Sequence, residues 1–368
     1  MSTRRDPLAA ADLRPRVQAR LDATVAAQRA LLDEVGPDVA DLTTPITELL
    51  RGGKRLRAAF LYWGWRVAGG SDEGRADEGV IALAASMELF QAAALIHDDV
   101  MDDSDTRRGL PAAHRVMAAD HADRAWRGDP DRFGLAGALL AGNLCLVWGD
   151  NLYEESGLDP AALAAARPVY HRMRTQLMAG QFIDVVESMR PWTGLSDDER
   201  VQRARHVIRY KSAKYSIEHP LLIGATAGGA GPADLEHLSS YGLALGEAFQ
   251  LRDDILGVFG DPQTTGKPAG DDLREGKRTV LIARTLAACT IEEAALLEAS
   301  LGDSTLTEDQ VGDLREIMDR CGAVLAIEAD IADLIGQAHR ALDATTDLDP
   351  DALPVLHDLI EATTARQF

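Results

Sequence analysis

The sequence predicts an all-α fold. Three observations carry this. Long Ala- and Leu-rich segments are separated by short Gly, Pro and Asp punctuation, no run alternates β-branched with polar residues, and the composition is 46% hydrophobic but only 5% aromatic.

The charge balance narrows the function. A net charge of −21, from 59 acidic and 38 basic residues, argues against nucleic acid or an anionic membrane surface as partner, so any anionic ligand has to be gripped by local cations. Cys145, Cys289 and Cys321 are widely spaced in apolar helical context. They are expected to be buried free thiols in a reducing cytoplasm rather than a disulfide framework or a zinc site. The N-terminal arginines are followed by no apolar core, so no secretory signal is expected. The uncharged run Gly134 to Gly149, about sixteen residues, falls short of the ~20 needed to span a bilayer, and a soluble chain without membrane insertion is expected.

Residues 8–35 place Leu13, Val17, Leu21 and Val25 at four-residue spacing, an amphipathic helix suited to packing or subunit contact. A loop around Gly36 to Thr44 and a short helix lead into Arg51-Gly52-Gly53-Lys54-Arg55-Leu56-Arg57. The glycines let a ligand approach the backbone, and Lys54 and Arg57, three apart, share a helical face as a candidate anion site. After a polar gap, residues 80–97 (VIALAASMELFQAAALIH) contain no Gly or Pro and form a helix that runs directly into an acidic cluster. Asp98 and Asp102 stand one turn apart there and can converge on one site, while Asp99 points away. Asp98, Asp99, Asp102, Asp103 and Asp105 crowd the dipole-unfavourable end of that helix and repel one another unless a cation sits among them. A hard divalent ion is the simplest such cation. Mg²⁺ is commonly held by one or two carboxylates plus substrate phosphates, and Arg107 and Arg108 offer forked donors to those phosphates.

Pro111 to Phe133 is expected to be an exposed loop with helical flanks, and Gly134 to Tyr153 a buried helix whose small residues permit close helix contact. Pro168 to Val186 carries Gln181 and Asp184. Arg205 to Pro220 is a semi-apolar helix bearing Lys211 and Ser212, where a lysine ordinarily reaches to solvent. Tyr241 to Asp272 repeats the design of the first cluster. An apolar helix ends in Asp253 and Asp254 and is followed by Gly-rich turns with Lys267 and then Lys277. Two such helices facing each other would cage divalent ions bridged by phosphate. From Thr279 onward, helices and acidic turns complete a shell. Because groups at 54, 98, 211, 253 and 267 have to meet in one cavity, a single domain is expected over 1–368, with its motif-bearing core at about 40–280 and helices of 281–368 around it.

The order GGKRLR, LIHDDVMDDSDTRRG, YKSA, FQLRDDILGVFGD and TGKPAGDDLREGKRT resembles the trans-isoprenyl diphosphate synthases, the polyprenyl synthetases. The resemblance covers Arg51 to Thr279, and five motifs in one order are far more specific than any one of them. It implies an isoprenoid synthase-type helical bundle around a deep central cavity, normally a homodimer, that condenses an allylic diphosphate with isopentenyl diphosphate. Asp98, Asp102 and Asp253 match magnesium ligands, with Asp254 beside them, and three Mg²⁺ ions with substrate bound are implied. Lys54, Arg57 and Arg108 match the isopentenyl diphosphate clamp. Arg107, Lys211, Ser212, Gln250 and Lys267 match groups around the allylic diphosphate, and Lys277 falls in the last motif. Gly257, Gln91, Ala59 and Asn143 depart from the commonest pattern, where an aspartate, a histidine, a nearby proline and an aspartate are usual. Gln91 keeps a place among the expected substrate contacts.

A chain growing away from the metal would pass Ala94 and Ala93 and meet Phe90, about 12 Å down the helix from Asp98. Small residues open the first gate and the aromatic closes the second. A geranylgeranyl diphosphate synthase-like product length is therefore expected, with farnesyl or geranylfarnesyl diphosphate as alternatives. A class I terpene cyclase would not need GGKRLR, and a non-catalytic partner subunit would not need Asp98, Asp102, Arg107, Arg108 and Asp253 together.

Overall fold

The protein is described by a computed structural model covering residues 10–260 and 270–365. Its elements are helical throughout, apart from a hairpin of two two-residue strands, β1 (Thr106–Arg107) and β2 (Leu110–Pro111). The chain folds into two compact units, each assembled from separated stretches.

The first unit takes the described residues of Met1–Arg167 with Pro220–Gly231 and Asp347–Val355. It contains α1 (Leu13–Asp33), α2 (Ala40–Leu50), α3 (Leu56–Val67), α4 (Gly74–Met101), α5 (Ala113–Asp123) and α6 (Pro130–Glu154). The four-residue spacing read in α1 is its packing face, since Leu13, Val17, Leu21 and Val25 are all buried. Helix α4 is the core. Nearly every residue from Gly79 to Phe90 is enclosed, which its lack of a polar stripe requires. Helix α3 crosses α9 (His219–Ala227) closely enough that a Cβ on Gly64 would lie 2.2 Å from the Leu221 carbonyl oxygen, and one on Gly224 1.9 Å from that of Leu61.

Three expectations are corrected here. Pro111 to Phe133 is not chiefly loop, because α5 folds there on His114, Met117, Ala118 and His121. That inward face, which also includes Ala113, contains two histidines, so it does not read as an apolar stripe in the sequence. Helix α6 is not wholly buried. Leu135, Leu139, Leu140 and Val147 are 43–54% exposed along it, and its 25 residues exceed the run counted between glycines. By length and composition both α4 and α6 could cross a membrane, with 83% and 44% of their most apolar windows buried. Of the three free cysteines only Cys145 is buried, Cys289 and Cys321 being partly exposed.

The second unit comprises Pro168–His219, Pro232–Thr346 and the described part of Leu356–Phe368. Helix α7 (Pro160–Met189) enters it. Helix α8 (Asp197–Val207) begins with a reciprocal cap between Ser196 and Glu199 and continues without interruption into a π-helix, Ile208–Glu218. Helix α10 (Pro232–Phe259) is the centre of this unit, flanked by the π-helix and by α15 (Ala323–Asp343). Between α10 and α15 lie α11 (Asp271–Arg274), α12 (Val280–Ala288), α13 (Ile291–Ser300) and α14 (Glu308–Arg320), and α16 (Leu353–Thr364) ends the described chain. The buried Tyr241 hydroxyl of α10 donates to the Leu356 carbonyl at 2.9 Å.

His219, 2% exposed, is the first residue of α9, directly after the π-helix. Burial, reinforced by Lys214 and Arg172, pushes its imidazole down to about 3 from an ordinary 6.5. The unfolded chain therefore takes up this proton first. The stability linked to its neutral form is fully present above pH 6.5 and is lost as pH falls toward 3. Denaturant unfolding at pH 7 and pH 5 should differ by about 2 kcal/mol from this group alone, and His219→Asn should remove that share of the slope.

Candidate active site

The first unit presents two clusters at one end of α4. Helical geometry sets Asp98 and Asp102 one turn apart, with the Asp102 amide donating to the Asp98 carbonyl at 2.8 Å, and both are half-buried. Asp99 is enclosed. Arg107 Nε donates to Asp99 Oδ1 at 2.7 Å, and Arg107 Nη2 reaches both Asp99 Oδ1 and Asp98 Oδ2, the latter at 3.3 Å. A cation does sit among the carboxylates, and in this chain it is Arg107. The β1–β2 hairpin folds it back onto α4, with Asp103, Arg108 and Gly109 in the left-handed backbone region around it. Asp103 and Asp105 belong elsewhere. Both are exposed and bound by Arg115 at 2.9 Å, which leaves Asp98 and Asp99 joined through Arg107, although Asp99 was expected to point away, and Asp102 one turn on from Asp98.

The second cluster answers what the glycine pair is for. Arg108 Nη1 donates to the Leu49 carbonyl at 3.0 Å, and its guanidinium lies so close to the loop that a Cβ on Gly53 would be 3.0 Å from Nη2. Gly53 has φ +103°, a conformation with little steric penalty only for glycine. The glycines thus admit the Arg108 side chain, bringing it into the field of Arg57 and Arg107. Burial first, then repulsion from Arg55, pushes the Arg108 guanidinium below its ordinary value, with Glu88 opposing. Lys54 on the same loop is exposed, and Arg57 and Gln91 are half-buried. Phe90 and Ala93 are enclosed at 2% and 0% exposure, whereas Ala94 is partly accessible.

The second unit gathers Lys211, Ser212, Gln250, Asp253, Asp254 and Lys277. The π-helix carries Lys211 and Ser212, and π-turns are frequent at functional sites. Small residues on its neighbours let it fit. A Cβ on Gly180 of α7 would meet the Tyr210 backbone at 2.5 Å, and one on Gly246 of α10 would meet Ala213 Cα at 2.6 Å. Lys211 does not extend to solvent but donates to Asp184 Oδ2 at 2.5 Å, and Lys277 Nζ reaches the same oxygen at 3.2 Å. Burial opposes ionisation of Asp184, but the two ammonium groups outweigh it and hold the carboxyl below its usual range. The Ser212 hydroxyl donates to Gln250 Oε1, and Gln250 Nε2 to Asp254 Oδ1 at 2.8 Å.

Asp254 is 5% exposed, and its Oδ2 is buried without a hydrogen bond. Burial, then Asp272, Asp253 and Asp184, push it well above the usual carboxylate range. Helix α10 does not end at this pair but continues to Phe259. At Gly257 a Cβ would lie 1.9 Å from Asp272 Oδ2, so the space of the usual aspartate is filled by a carboxylate from α11. Lys267 and Asp261 lie outside the described residues.

Sequence reasoning left Asp184 among merely polar residues and passed over Asp272 and Glu88. Glu88 carried a signal, being the lone charge between Val80 and Ile96 in an otherwise apolar helix.

An all-α scaffold bearing paired aspartates on two long helices, with arginines and lysines beside them, is that of a prenyltransferase that lengthens a prenyl diphosphate. The sequence profile of the polyprenyl synthetase family matches residues 39–319, and the chain belongs to that family. A solved geranylgeranyl pyrophosphate synthase from Corynebacterium glutamicum, complexed with isoprenyl diphosphate and magnesium, superposes with a TM-score of 0.90 at 38% identity, over 96% of this chain and 99% of that one. The geranylfarnesyl diphosphate synthase of Aeropyrum pernix is 36% identical over 63% of this chain and 65% of its own length. The (2E,6E)-farnesyl diphosphate synthase of Mycobacterium tuberculosis is 33% identical over 73% and 67%.

Proposed function

We propose that this chain condenses an allylic diphosphate with isopentenyl diphosphate and releases geranylgeranyl diphosphate as its main product. The observation that carries the reading is the arginine set around Gly52–Gly53, where the Arg108 guanidinium is hydrogen-bonded to the Leu49 carbonyl, lies against Gly53, and sits in the field of Arg55 and Arg57. A condensing enzyme needs an anion site for its second diphosphate, and an enzyme acting on one diphosphate does not. Lys54, Arg57 and Arg108, with Gln91, bind isopentenyl diphosphate. Arg107, Lys211, Ser212, Gln250, Lys267 and Lys277 address the allylic diphosphate.

The donor chemistry suits magnesium. Asp98 and Asp102 offer hard oxygens one turn apart, and Asp254 Oδ2 is a buried acceptor without a hydrogen bond. Among the described residues no group of three or more His, Cys, Asp or Glu side chains is placed to hold a metal alone, so diphosphate oxygens would have to complete the coordination. Asp98, Asp102, Asp253 and Asp254 would hold the ions, three of them when substrate is bound. When bound, magnesium supplies positive charge against the diphosphate. Arg107, Lys211 and Lys267 stabilise the negative charge that grows on the leaving group. The allylic C–O bond breaks with its electron pair leaving on pyrophosphate. The double bond of isopentenyl diphosphate forms the new C–C bond, and the proton then lost goes to the departing pyrophosphate.

The exposed Leu135, Leu139, Leu140 and Val147 of α6 support a homodimer, because an apolar stripe of this kind is commonly covered by a partner. With α4 largely buried and α6 so covered, we place the enzyme in the cytoplasm without membrane insertion.

Purified chain with magnesium, isopentenyl diphosphate and dimethylallyl, geranyl or farnesyl diphosphate should release pyrophosphate and yield a C20 product by chromatography. Pyrophosphate release without consumption of isopentenyl diphosphate would overturn the reading. Ala94→Phe, at the accessible position one turn before Asp98, should shorten the main product by at least one isoprene unit, and Phe90→Ala should lengthen it.

A further inference from the structure

The middle basic residue of GGKRLR behaves unlike its neighbours. Lys54 is exposed and Arg57 half-buried, but Arg55 is 5% exposed. Its backbone is left-handed at φ 56°, ψ 41°, at the entry to α3. A bulky residue is held in that region only where its surroundings over-determine it. The surroundings here can be named. The Arg55 guanidinium donates to the Leu50 carbonyl at the end of α2, to Gln18 Oε1 of α1 at 2.5 Å, and to Glu88 Oε2 of α4 at 3.4 Å. Glu88 is itself buried, and its other oxygen accepts the Ala58 amide in the first turn of α3 at 3.1 Å.

One guanidinium therefore draws four helices together and closes the loop between Leu50 and Arg55 on itself. That loop carries Lys54 and the two glycines against which Arg108 lies. Arg57 follows on the helix whose first turn Glu88 caps, and Gln91 stands one turn further along α4 from Glu88. All the groups assigned above to the second diphosphate are thus tied to Arg55 or to its counter-ion.

We propose that Arg55 is a positioning residue for the isopentenyl diphosphate site, fixing the loop so that Lys54, Arg57 and Arg108 converge on one anion without Arg55 touching that anion. This rests on the reading of that site given above. The planar five-donor fork is what the task requires, since three acceptors from three helices are met in different directions. An ammonium group in the same place has the charge but not the fan of fixed directions.

The test measures KM for each substrate and kcat separately, with thermal midpoints as the check on folding. Arg55→Lys should raise KM for isopentenyl diphosphate about tenfold or more, leave KM for the allylic substrate within twofold, and change kcat little. The double variant Arg55→Met with Glu88→Gln leaves no lone buried charge and should show the same selective rise. Gln18→Ala, at a half-exposed position of α1, removes a single acceptor and should raise the same KM two- to threefold without altering the fold. Arg55→Lys combined with Lys54→Ala should give less than the product of the separate effects, because both act on one site. Folded Arg55→Lys and Gln18→Ala proteins with unchanged KM for isopentenyl diphosphate, or with both KM values raised equally, would overturn the role of Arg55 alone. A wild-type enzyme that consumes no isopentenyl diphosphate would instead overturn the site reading beneath it.

Discussion

Asp98→Asn should lower turnover by roughly 10³-fold while moving the thermal midpoint only slightly. The two halves of this expectation have separate causes. Asp98 is half-buried, and its carboxylate meets Arg107 at 3.3 Å beside Asp99, so neutralising it relieves repulsion about as much as it loses attraction. The role proposed for it in the reaction has no such compensation. Removing one preorganised electrostatic contributor from an active site typically costs about 10²–10³ in rate, and a lost carboxylate donor also weakens metal affinity. Initial rates measured across a magnesium titration should therefore show a raised half-saturation as well as a lower plateau. Asp105→Asn is the matched control. It alters the same motif, but its carboxylate is exposed and engaged by Arg115, and its rate should stay within twofold of wild type. Equal effects at the two positions would dismantle the assignment of Asp98.

Gly224→Ala should be among the most destabilising single-methyl additions in the first unit. The added carbon would sit 1.9 Å from the Leu61 carbonyl oxygen and 2.8 Å from the Trp65 amide nitrogen. Both are main-chain atoms of α3 that no rotamer change can move. The mirror contact at Gly64 against Leu221 means that neither helix can yield toward the other. Overpacking of this kind costs about 3 kcal/mol, or on the order of 6–12 °C at about 2–4 °C per kcal/mol. Gly312→Ala offers the opposite sign. It lies inside α14 with nothing within 4 Å of the added carbon, and helix propensity favours alanine there by about 1 kcal/mol. Calorimetric midpoints should rank the proteins Gly312→Ala, wild type, Gly224→Ala from highest to lowest.

The sequence made plain what rests on local periodicity. The α1 face, the run of α4 into Asp98, and the one-turn pairing of Asp98 with Asp102 follow from 3.6 residues per turn, and the structure repeats them. Contacts that depend on distant partners were illegible. Lys211 is written as an isolated lysine, and only folding supplies Asp184 twenty-seven residues away and Lys277 beyond it. The π-helix gives no compositional sign, since Tyr, Lys, Ser and Ala suit an α-helix equally. Helix α5 was hidden because two of its five inward residues are histidines and the segment after it, from Arg124 to Arg132, is rich in charge. The five-acid cluster looked like one unit on paper, and a single arginine, Arg115, divides it.

Arg107 is already engaged by Asp98 and Asp99, so on the function proposed above the acids and an incoming diphosphate would be rivals for one guanidinium. Whatever weakens its hold on the carboxylates strengthens its reach for phosphate, and a phosphate that captures it leaves the carboxylates bare for a divalent ion. By reciprocal linkage, each ligand would then raise the affinity for the other, and each saturation curve should shift with the concentration of its counterpart.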